Sequence, residues 1–525
     1  MFTRTKTFHR QDGSRRQYLQ IVKTCRERGK VRQKVVCNLG RVEELHHGGV
    51  DTLIEGLAKF SEKLTVIDAG KDLLAHEAKE YGSVLIFHRL FESVGLTESI
   101  ARCLAQHHHL IPVTDALCAM VLNRILAPGS KLRVYEWLQE VYAPSWASLK
   151  LHHLYRSLDV LAQHKEEIEQ ALYAQVRNLF DLNLNVVFYD TTSVYFEGRG
   201  PEGMAQRGFS KDKRPDLKQV VIGILLTEEG IPIGCEVFPG NTYDGTTVKT
   251  MLAMLSGRFK LGKIIFVADR GMVSEKNLSL LEAEGYQYIV GVKMRQLRQV
   301  RDTVLATPGR YRQVEDNLKV KETTVAGTRY VICFNPQEAD KDREDRDAIV
   351  ANLERKLHGR TLSKVLTGDA KRFCRLCAGE AVLNQDKIAK EARYDGKYVL
   401  RTTTTLPSED VARAYKQLWM VERAFRDLKN IFKIRPVFHW TPSRVHGHIF
   451  VCFLAFLLTA TLARRLSEQG VKESVHEVIR DVRRMKAVTL EVKHEAYLLR
   501  TELKGSAHHA FRAVGLRVPS QVQRV

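Results

Sequence analysis

The sequence contains no apolar run long enough to cross a membrane. The longest, IFVCFLAFLLTATLA at 449–463, falls short of the roughly 20 residues that a membrane-spanning helix needs, so it predicts a buried helix. The opening residues, MFTRTKTFHRQDG, lack the apolar core of a secretory signal peptide. These two absences predict a cytoplasmic protein of a bacterium-like cell.

Several familiar reactive motifs are also absent. There is no Walker loop, no G-x-S-x-G and no H-E-x-x-H, which argues against P-loop nucleotide hydrolysis, serine-hydrolase and zinc-protease chemistry. The nine cysteines are scattered, and Cys374 and Cys377 form a C-x-x-C without a second pair at zinc spacing. We expect these two thiols to be structural. The run at 107–109 is three histidines, whose side chains point in different directions on a helix or strand, and it predicts a solvated patch.

Acidic residues are fewer than basic ones: the sequence has 61 Asp and Glu and 82 Lys and Arg, which gives a formal net charge of +21. A field of that sign attracts polyanions, chiefly nucleic acid and less specifically a membrane surface. A basic enzyme without a nucleic-acid role also fits the charge. The length of 525 residues predicts about three or more domains.

The two ends of the chain are basic. QYLQIVKTC and KVRQKVVCNLG, joined by RERG, predict a hairpin within a β-rich region over 1–70, either a DNA-contacting arm or a solvated ribbon. Residues 75–180 have apolar positions three and four apart, as in LIFHRLFESVGL, which predicts a helical domain. This domain is a candidate DNA-binding module, with GSKLRVYEWLQEVY as its candidate DNA-facing helix. Residues 466–525 form a basic C-terminal region.

The middle of the chain predicts an α/β core. NVVFYD, QVVIGILL, IPIGCEVF, KIIFVAD and YQYIVGV predict strands, with helices at about 246–258 and 274–284. Three strands, a helix, a strand, a helix and a strand is the order of a ribonuclease H-like fold, a mixed sheet flanked by helices. The first part of this core spans 181–292, a strand-rich insertion domain follows over 293–402, and 403–465 completes the core.

Two aspartates end buried strands of this core. Asp190 closes the first strand and Asp269 the fourth. Because these strands are neighbours in such a sheet, both carboxylates can emerge at one edge. A carboxylate there is costly unless it is paired or holds a cation, although Asp is also common in turns and helix caps.

A third carboxylate is predicted from the helix over 408–430, which Ser408 would cap. At 100° per residue Glu422 falls on a largely apolar face, where it either pairs with Arg426 one turn on or faces the two aspartates. Three carboxylates suit Mg²⁺ or Mn²⁺. Two such ions about 4 Å apart catalyse in-line phosphoryl transfer without a nucleophilic side chain.

The segments YDTTSVYFEG, GFSKDKRPDLKQ, FPGNTYDGTT, VADRGM and YKQLWMVERAFRDLK resemble bacterial insertion-sequence transposases with a DDE triad. The resemblance covers about 75–525. Within it the chain is most similar to the group with a Tyr, Arg, Glu, Lys signature and a β-strand insertion before the Glu. It implies that Asp190, Asp269 and Glu422 are the catalytic, metal-binding triad.

The resemblance also assigns the signature Tyr to Tyr415 and the Lys to Lys429, whereas Leu418 stands at the Arg position. Arg423 or Arg426 are then candidate substitutes. The predicted DNA contacts are Tyr415, Lys429, Arg426, Arg423, Lys211, Arg214, Lys218 and Arg270, with Lys213 in the same basic loop. Relatives that form hairpin ends stack a base on a Trp of the insertion. Here 293–402 contains no Trp; Tyr311, Tyr330 and Phe373 are either substitutes or core residues.

The resemblance implies a cut-and-paste DNA transposase that binds the terminal inverted repeats of its element and joins them to target DNA. We expect a homodimer at the paired ends and association with the nucleoid. Two alternatives stay open. One is a catalytically inactive DNA-binding derivative. The other is a phosphatase using Asp190-Thr191-Thr192, which lacks the second acidic residue usual in that motif.

Overall fold

The computed structural model describes residues 1–27, 30–45, 48–61, 73–105, 111–180, 185–259, 264–272, 274–357, 372–377, 380–492 and 494–525. The predicted histidine patch at 107–109 lies outside them. The chain divides into two compact units. Unit 1 comprises Met1–Ala78, Ala487–Arg500 and Ser520–Val525, and unit 2 comprises Lys79–Lys486 and Thr501–Pro519.

Unit 1 opens with a three-stranded antiparallel sheet of β1 (Phe2–His9), β2 (Arg15–Glu27) and β3 (Lys30–Arg41). Pairing of Glu27 with Lys30 confirms the predicted hairpin, whereas β1 was not predicted. Two short helices, α1 (Val42–Leu45) and α2 (Gly49–Ala58), precede β4 (Leu73–Glu80).

The C-terminal strands of unit 1 join β4 in one sheet. They are β16 (Lys486–Val492), β17 (Glu495–Arg500) and β18 (Val522–Arg524), in the order β18-β17-β16-β4. The predicted C-terminal region 466–525 is therefore divided between the two units. Helices α16 (Val475–Val482) and α17 (Ala507–Ala513) belong to unit 2.

The helical segment predicted from residue 75 begins only at Gly82, in unit 2, because the residues before it form strand β4. Its helices are α3 (Gly82–Ser93), α4 (Leu96–Leu104), α5 (Val113–Leu126), α6 (Lys131–Trp137), α7 (Leu151–Gln163) and α8 (Lys165–Phe180). Helix α5 is buried almost throughout. Helix α6, in the predicted DNA-facing segment, has its Lys131 side chain buried and Leu132 exposed.

A nine-stranded mixed sheet forms the centre of unit 2. The elements of its first part are β5 (Val186–Tyr195), β6 (Gln219–Thr227), β7 (Pro232–Pro239), α9 (Asp244–Ala253, continued by one π-helical turn), β8 (Ile265–Ala268), α10 (Glu275–Ala283) and β9 (Gln287–Gly291). Strand β5 pairs antiparallel with β6 and parallel with β8, and β8 runs parallel to β9. This topology confirms the predicted mixed α/β core.

The segment 293–402 extends this sheet. Its elements are β10 (Arg312–Glu315), β11 (Leu318–Val325), β12 (Thr328–Phe334), α11 (Pro336–Leu357), β13 (Cys374–Cys377), β14 (Glu380–Leu383), α12 (Gln385–Ala392) and β15 (Lys397–Thr402). The order β10-β11-β12-β15-β9-β8-β5-β6-β7 places four of its strands beyond β9. An unpaired β9 would be an exposed edge, so the inserted strands satisfy its backbone.

Three helices complete the core: α13 (Ser408–Lys416), α14 (Trp419–Asn430) and α15 (Pro442–Glu468). The prediction of a single helix over 408–430 that Ser408 caps is wrong in its cap and in its continuity. Its N-cap residue is Pro407, not Ser408, and it breaks at Gln417 and Leu418. There Leu418, Met420 and Val421 donate backbone hydrogen bonds three residues back, which tightens the turn and shifts the helical phase.

Helix α15 contains the apolar run 449–463. The run alone is too short to cross a membrane, but the helix has 27 residues and is, by length and composition, the one helix of the described residues that could do so. Its apolar window is nevertheless 89% buried inside the protein. This burial confirms the predicted core helix.

Candidate active site

The sheet topology brings Asp190 and Asp269 together. The parallel pairing of β5 and β8 ends with Tyr189 opposite Ala268, so the aspartates are the next residues on two adjacent strands. Strand β8 ends there, because a carboxylate favours solvent over the buried sheet interior. Strand β5 continues through Asp190 to Tyr195, since its pairing with β6 extends that far, so the prediction that Asp190 closes its strand is wrong. Both aspartates line one cavity of about 570 Å³. The prediction that they share an edge of the sheet is confirmed by this pairing.

Glu422 lines the same cavity. Helix α14 packs through Val421, Ala424, Phe425 and Leu428, and Glu422 is exposed beside that face. The prediction that it lies in the middle of an apolar face is wrong, because the break before α14 changes the phase. Within the described part of the chain its carboxylate makes no hydrogen bond or ion pair, so the alternative pairing with Arg426 is not formed.

Asp269 is held by a tyrosine of the predicted signature. The Tyr415 hydroxyl donates a hydrogen bond to Asp269 Oδ1 at 3.1 Å, and its ring stacks on Tyr398 with centroids 5.8 Å apart. Gly291 makes room for this contact, since a Cβ there would lie 2.3 Å from the Tyr415 oxygen. Tyr415 is thus a positioning residue for Asp269 in this structure.

Asp190 lies in a denser charge cluster than the sequence predicts. Lys211 Nζ is 3.7 Å from Asp190 Oδ1 and 3.4 Å from Asp244 Oδ2, and it donates to the Thr191 carbonyl at 2.6 Å. Asp244 also accepts a hydrogen bond from the Thr191 hydroxyl at 2.6 Å. Asp244 was not predicted as a site residue, although its position in the segment FPGNTYDGTT was a signal.

The pKa of Asp190 is raised to about 6, chiefly by burial and also by the neighbouring carboxylates of Asp269 and Asp244, although Lys211 and the Thr191 amide act to lower it. The ionised form is therefore costly in the metal-free protein. An ammonium group that bridges two carboxylates shows that this position accepts positive charge. Carboxylate oxygens are the donors that Mg²⁺ and Mn²⁺ prefer, so the donor set fits a divalent ion.

The predicted DNA contacts fall into different environments. Arg270 is exposed and lines the cavity. Lys429 is nearly buried and donates to Asp212 Oδ1 at 2.9 Å, so its ammonium is engaged within the protein. Arg214 is engaged with Asp216, while Lys213, Lys218 and Arg426 are exposed. Arg423 lies over the Trp419 ring, 6.0 Å from its centroid.

Aromatic surface occurs at a position that the sequence analysis did not favour. Tyr330 and Phe373 are buried, which supports a core role for both, and Tyr311 packs against Phe334. Trp419, by contrast, is 51% exposed and lines the cavity with Glu422. The signal was its place one turn before Glu422, but the assumed helical phase assigned it to the core.

One other group of potential metal ligands exists among the described residues. Cys103, His164 and Glu167 have ligand atoms within 4.8 Å of one another. Burial and a hydrogen bond to Glu167 raise the pKa of Cys103 to about 11, which favours the thiol over the metal-binding thiolate. Cys374 and Cys377 are both free.

For the strand cleavage that the sequence resemblance implies, we expect Tyr415→Phe to slow the reaction by about tenfold, because one hydrogen bond to a charged carboxylate is lost while the ring remains. Tyr398→Phe is the matched control: its ring stacks on Tyr415, and it contributes no hydrogen bond to Asp269. The measurement is the cleavage rate as a function of Mg²⁺ concentration. Equal rates in wild type and Tyr415→Phe would mean that the hydroxyl does not position Asp269 during catalysis.

The transposase DDE domain family matches residues 182–458, and the IS1634 family transposase N-terminal domain matches residues 3–70. No curated protein matches the chain. The piggyBac transposase, solved as a synaptic complex with hairpin DNA, is 10% identical over 78% of this chain and 82% of its own, with a TM-score of 0.38. The Mos1 transposase, in a paired-end complex with the left transposon end, is 14% identical over 37% and 57%, with a TM-score of 0.15.

The domain match covers more than half of the 525 residues and contains the three cavity-lining carboxylates. Such domains use divalent metal ions to cleave DNA and transfer its strands. This chain belongs to the DDE transposases of insertion sequences and is a DNA transposase.

Proposed function

We propose that the protein binds the terminal inverted repeats of an insertion sequence and moves the element by a cut-and-paste route. Asp190, Asp269 and Glu422 would hold two Mg²⁺ or Mn²⁺ ions. The observation that carries this proposal is the convergence of three carboxylates, from β5, from the end of β8 and from α14, on one cavity. Convergence from three distant segments favours a shared ligand over three separate turn or cap roles.

The residues that line the cavity would have different roles in catalysis. Two ions bound there would activate a water or a 3′-hydroxyl and stabilise the leaving oxygen. Tyr415 fixes Asp269 through its hydroxyl. Lys211 neutralises Asp190 and Asp244 in the absence of an ion. With a divalent ion held by these carboxylates, the ammonium of Lys211 would be free to bind a DNA phosphate beside them.

DNA binding supports the same proposal through charge. Lys213, Lys218 and Arg270 are exposed, and contacts from such groups to phosphates give affinity without reading the sequence. We propose that the N-terminal region and the helical segment supply end recognition. Two copies of the chain would pair the two ends, and the protein would work at the nucleoid.

The test is cleavage of labelled duplex DNA that carries the inverted repeat flanking the gene. With Mg²⁺ we expect a nick at the repeat boundary that leaves a 3′-hydroxyl, followed by joining of this end to a target duplex. A scrambled repeat and an excess of chelator are the controls. Tight repeat binding without any cleavage in Mg²⁺ or Mn²⁺ would replace this proposal with the inactive DNA-binding derivative.

A further inference from the structure

A second cavity of about 560 Å³ lies in unit 2, between the start of α6, the segment 433–441 and the start of α15. Its charged lining residues all have the same sign: Arg124, Lys131, Lys433, Arg435 and Arg444. Within the described residues, no carboxylate belongs to the lining. Arg435 and Arg444 are paired with Asp212 and Asp159, which lie outside the lining. The other three cations give the cavity a positive lining, which favours an anionic occupant.

Lys131 is the strongest evidence for that occupant. Its side chain is only 3% exposed, and its Nζ has no hydrogen-bond partner among the described residues. A buried ammonium is costly without a counter-charge. Burial, together with the nearby guanidinium of Arg124, lowers the pKa of Lys131 to about 7. An anion would supply the partner that this ammonium lacks among the described residues.

The neighbouring Arg124 contacts neutral groups, so its charge is not balanced by a carboxylate of the described residues. Arg124 is 5% exposed, and its Nη1 donates to the carbonyls of Phe432 and Lys433. Its Nη2 lies 3.3 Å from His448 Nδ1. Because His448 Nε2 faces the Ile434 carbonyl at 3.0 Å and must donate to it, Nδ1 accepts from Arg124 and the imidazole is neutral. These contacts fix the guanidinium and leave the positive charge uncompensated.

The rim of this cavity offers aromatic surface. Trp440 is 68% exposed and Phe438 is 58% exposed. Exposed rings beside cations bind single nucleotides by stacking on the base while the cations bind phosphate. The rim also connects to the active site, since Arg435 Nε is 3.5 Å from Asp212 Oδ2 and Asp212 follows Lys211 directly in the chain.

We propose that this cavity binds one backbone phosphate of transposon DNA, with Arg124 and Lys131 around the phosphate and a neighbouring base stacked on Trp440. The cavity is separate from the carboxylate site and anchors the DNA strand beyond it. This inference rests on the proposed function only in taking the element's end DNA as the source of the phosphate.

The test compares Lys131→Met and Trp440→Ala with Lys472→Met, an exposed lysine outside the cavity. Binding of the inverted-repeat duplex is measured by fluorescence anisotropy between 50 and 200 mM salt, without divalent ions. We expect Lys131→Met to weaken binding by roughly tenfold and to reduce the salt slope by about 0.9, the value for one lost phosphate contact. Trp440→Ala should weaken binding by roughly tenfold without changing the slope.

A second readout separates a binding role from a structural one. Lys131→Met removes an unpaired buried charge, so the thermal midpoint of the DNA-free variant should rise while its DNA affinity falls. If Lys131→Met does not fold, the exposed Trp440→Ala decides the outcome by itself. Inorganic phosphate at millimolar concentration is expected to raise the midpoint of the wild type and not that of Lys131→Met.

The proposal fails if both cavity variants bind DNA as the control does. It fails also if phosphate stabilises the wild type selectively while DNA affinity is unchanged in Lys131→Met, because the cavity would then take free phosphate. Loss of cleavage with full DNA binding would count against the proposed function and not against this cavity, since no divalent ion is present in the binding assay.

Discussion

Asp190→Asn, Asp269→Asn and Glu422→Gln are each expected to reduce strand cleavage by roughly three orders of magnitude or more, because each amide removes an anionic ligand from a site that acts as a unit. Binding of the inverted-repeat duplex should change by no more than about twofold, since these carboxylates contribute no cationic contact to phosphate. The three side chains line the same cavity, so their losses should be alike and not additive.

The measurement is nicking of end-labelled repeat DNA at saturating Mg²⁺, paired with anisotropy of the same duplex. Glu473→Gln is the matched control, because Glu473 is an exposed glutamate outside the cavity and the substitution is chemically the same as Glu422→Gln. Cleavage that persists in one of the three cavity variants would remove that residue from the triad. The result for Glu422 is the most informative, because its position depends on the helical phase of α14, which was not predicted correctly from the sequence.

The strands of the core could be predicted because their signals are local. Runs such as NVVFYD and KIIFVAD are apolar, short and bounded by polar residues, which is typical of buried strands. The order of these elements then placed Asp190 and Asp269 on adjacent strands, as the pairing of β5 with β8 confirms. Periodicity and element order were sufficient for these two residues.

The parts that could not be predicted depend on tertiary contacts. The break at Gln417 and Leu418 has no Gly or Pro to signal it, so the phase of α14 and the exposure of Trp419 followed only from the structure. Strand β15 pairs with β9 across more than a hundred residues, and local patterns do not encode such partners. The approach of Lys211 to Asp244 likewise joins a loop to a helix terminus, with no motif that spans both.

The metal-free protein should become more stable when Asp190 is replaced by Asn. Burial of this carboxylate, which is 18% exposed, raises its pKa to about 6 from an ordinary 3.8. A shift of that size corresponds to destabilisation of about 3 kcal/mol when the group is ionised at pH 7. Asn is uncharged and can still accept the hydrogen bond from the Thr191 amide, so we expect the thermal midpoint to rise by roughly 2–4 °C.

The pH dependence gives this prediction its sign. A carboxyl whose pKa is higher in the folded state binds protons on folding, so wild-type stability falls as pH rises from about 4 to about 6 and then levels off. Asp190→Asn lacks this fall, and the two proteins should converge below pH 4. Asp347→Asn, at an exposed position on α11, should follow the wild type throughout.

Divalent ions should make the wild type more stable than Asp190→Asn at pH 7, the reverse of the order expected without metal. A cation that binds only the folded protein adds stability in proportion to the logarithm of its concentration above the dissociation constant, and this gain requires the ionised Asp190. Wild type should therefore gain stability with millimolar Mg²⁺ or Mn²⁺ in a thermal scan, while Asp190→Asn should gain little. A variant that is less stable than wild type without metal would show that Lys211 already compensates the buried charge in full. In that case the arrangement of the site would serve the ion pair with Lys211 and not a metal ion. If Asp190→Asn is instead more stable than wild type without metal, the buried carboxylate lowers stability and is retained for metal binding.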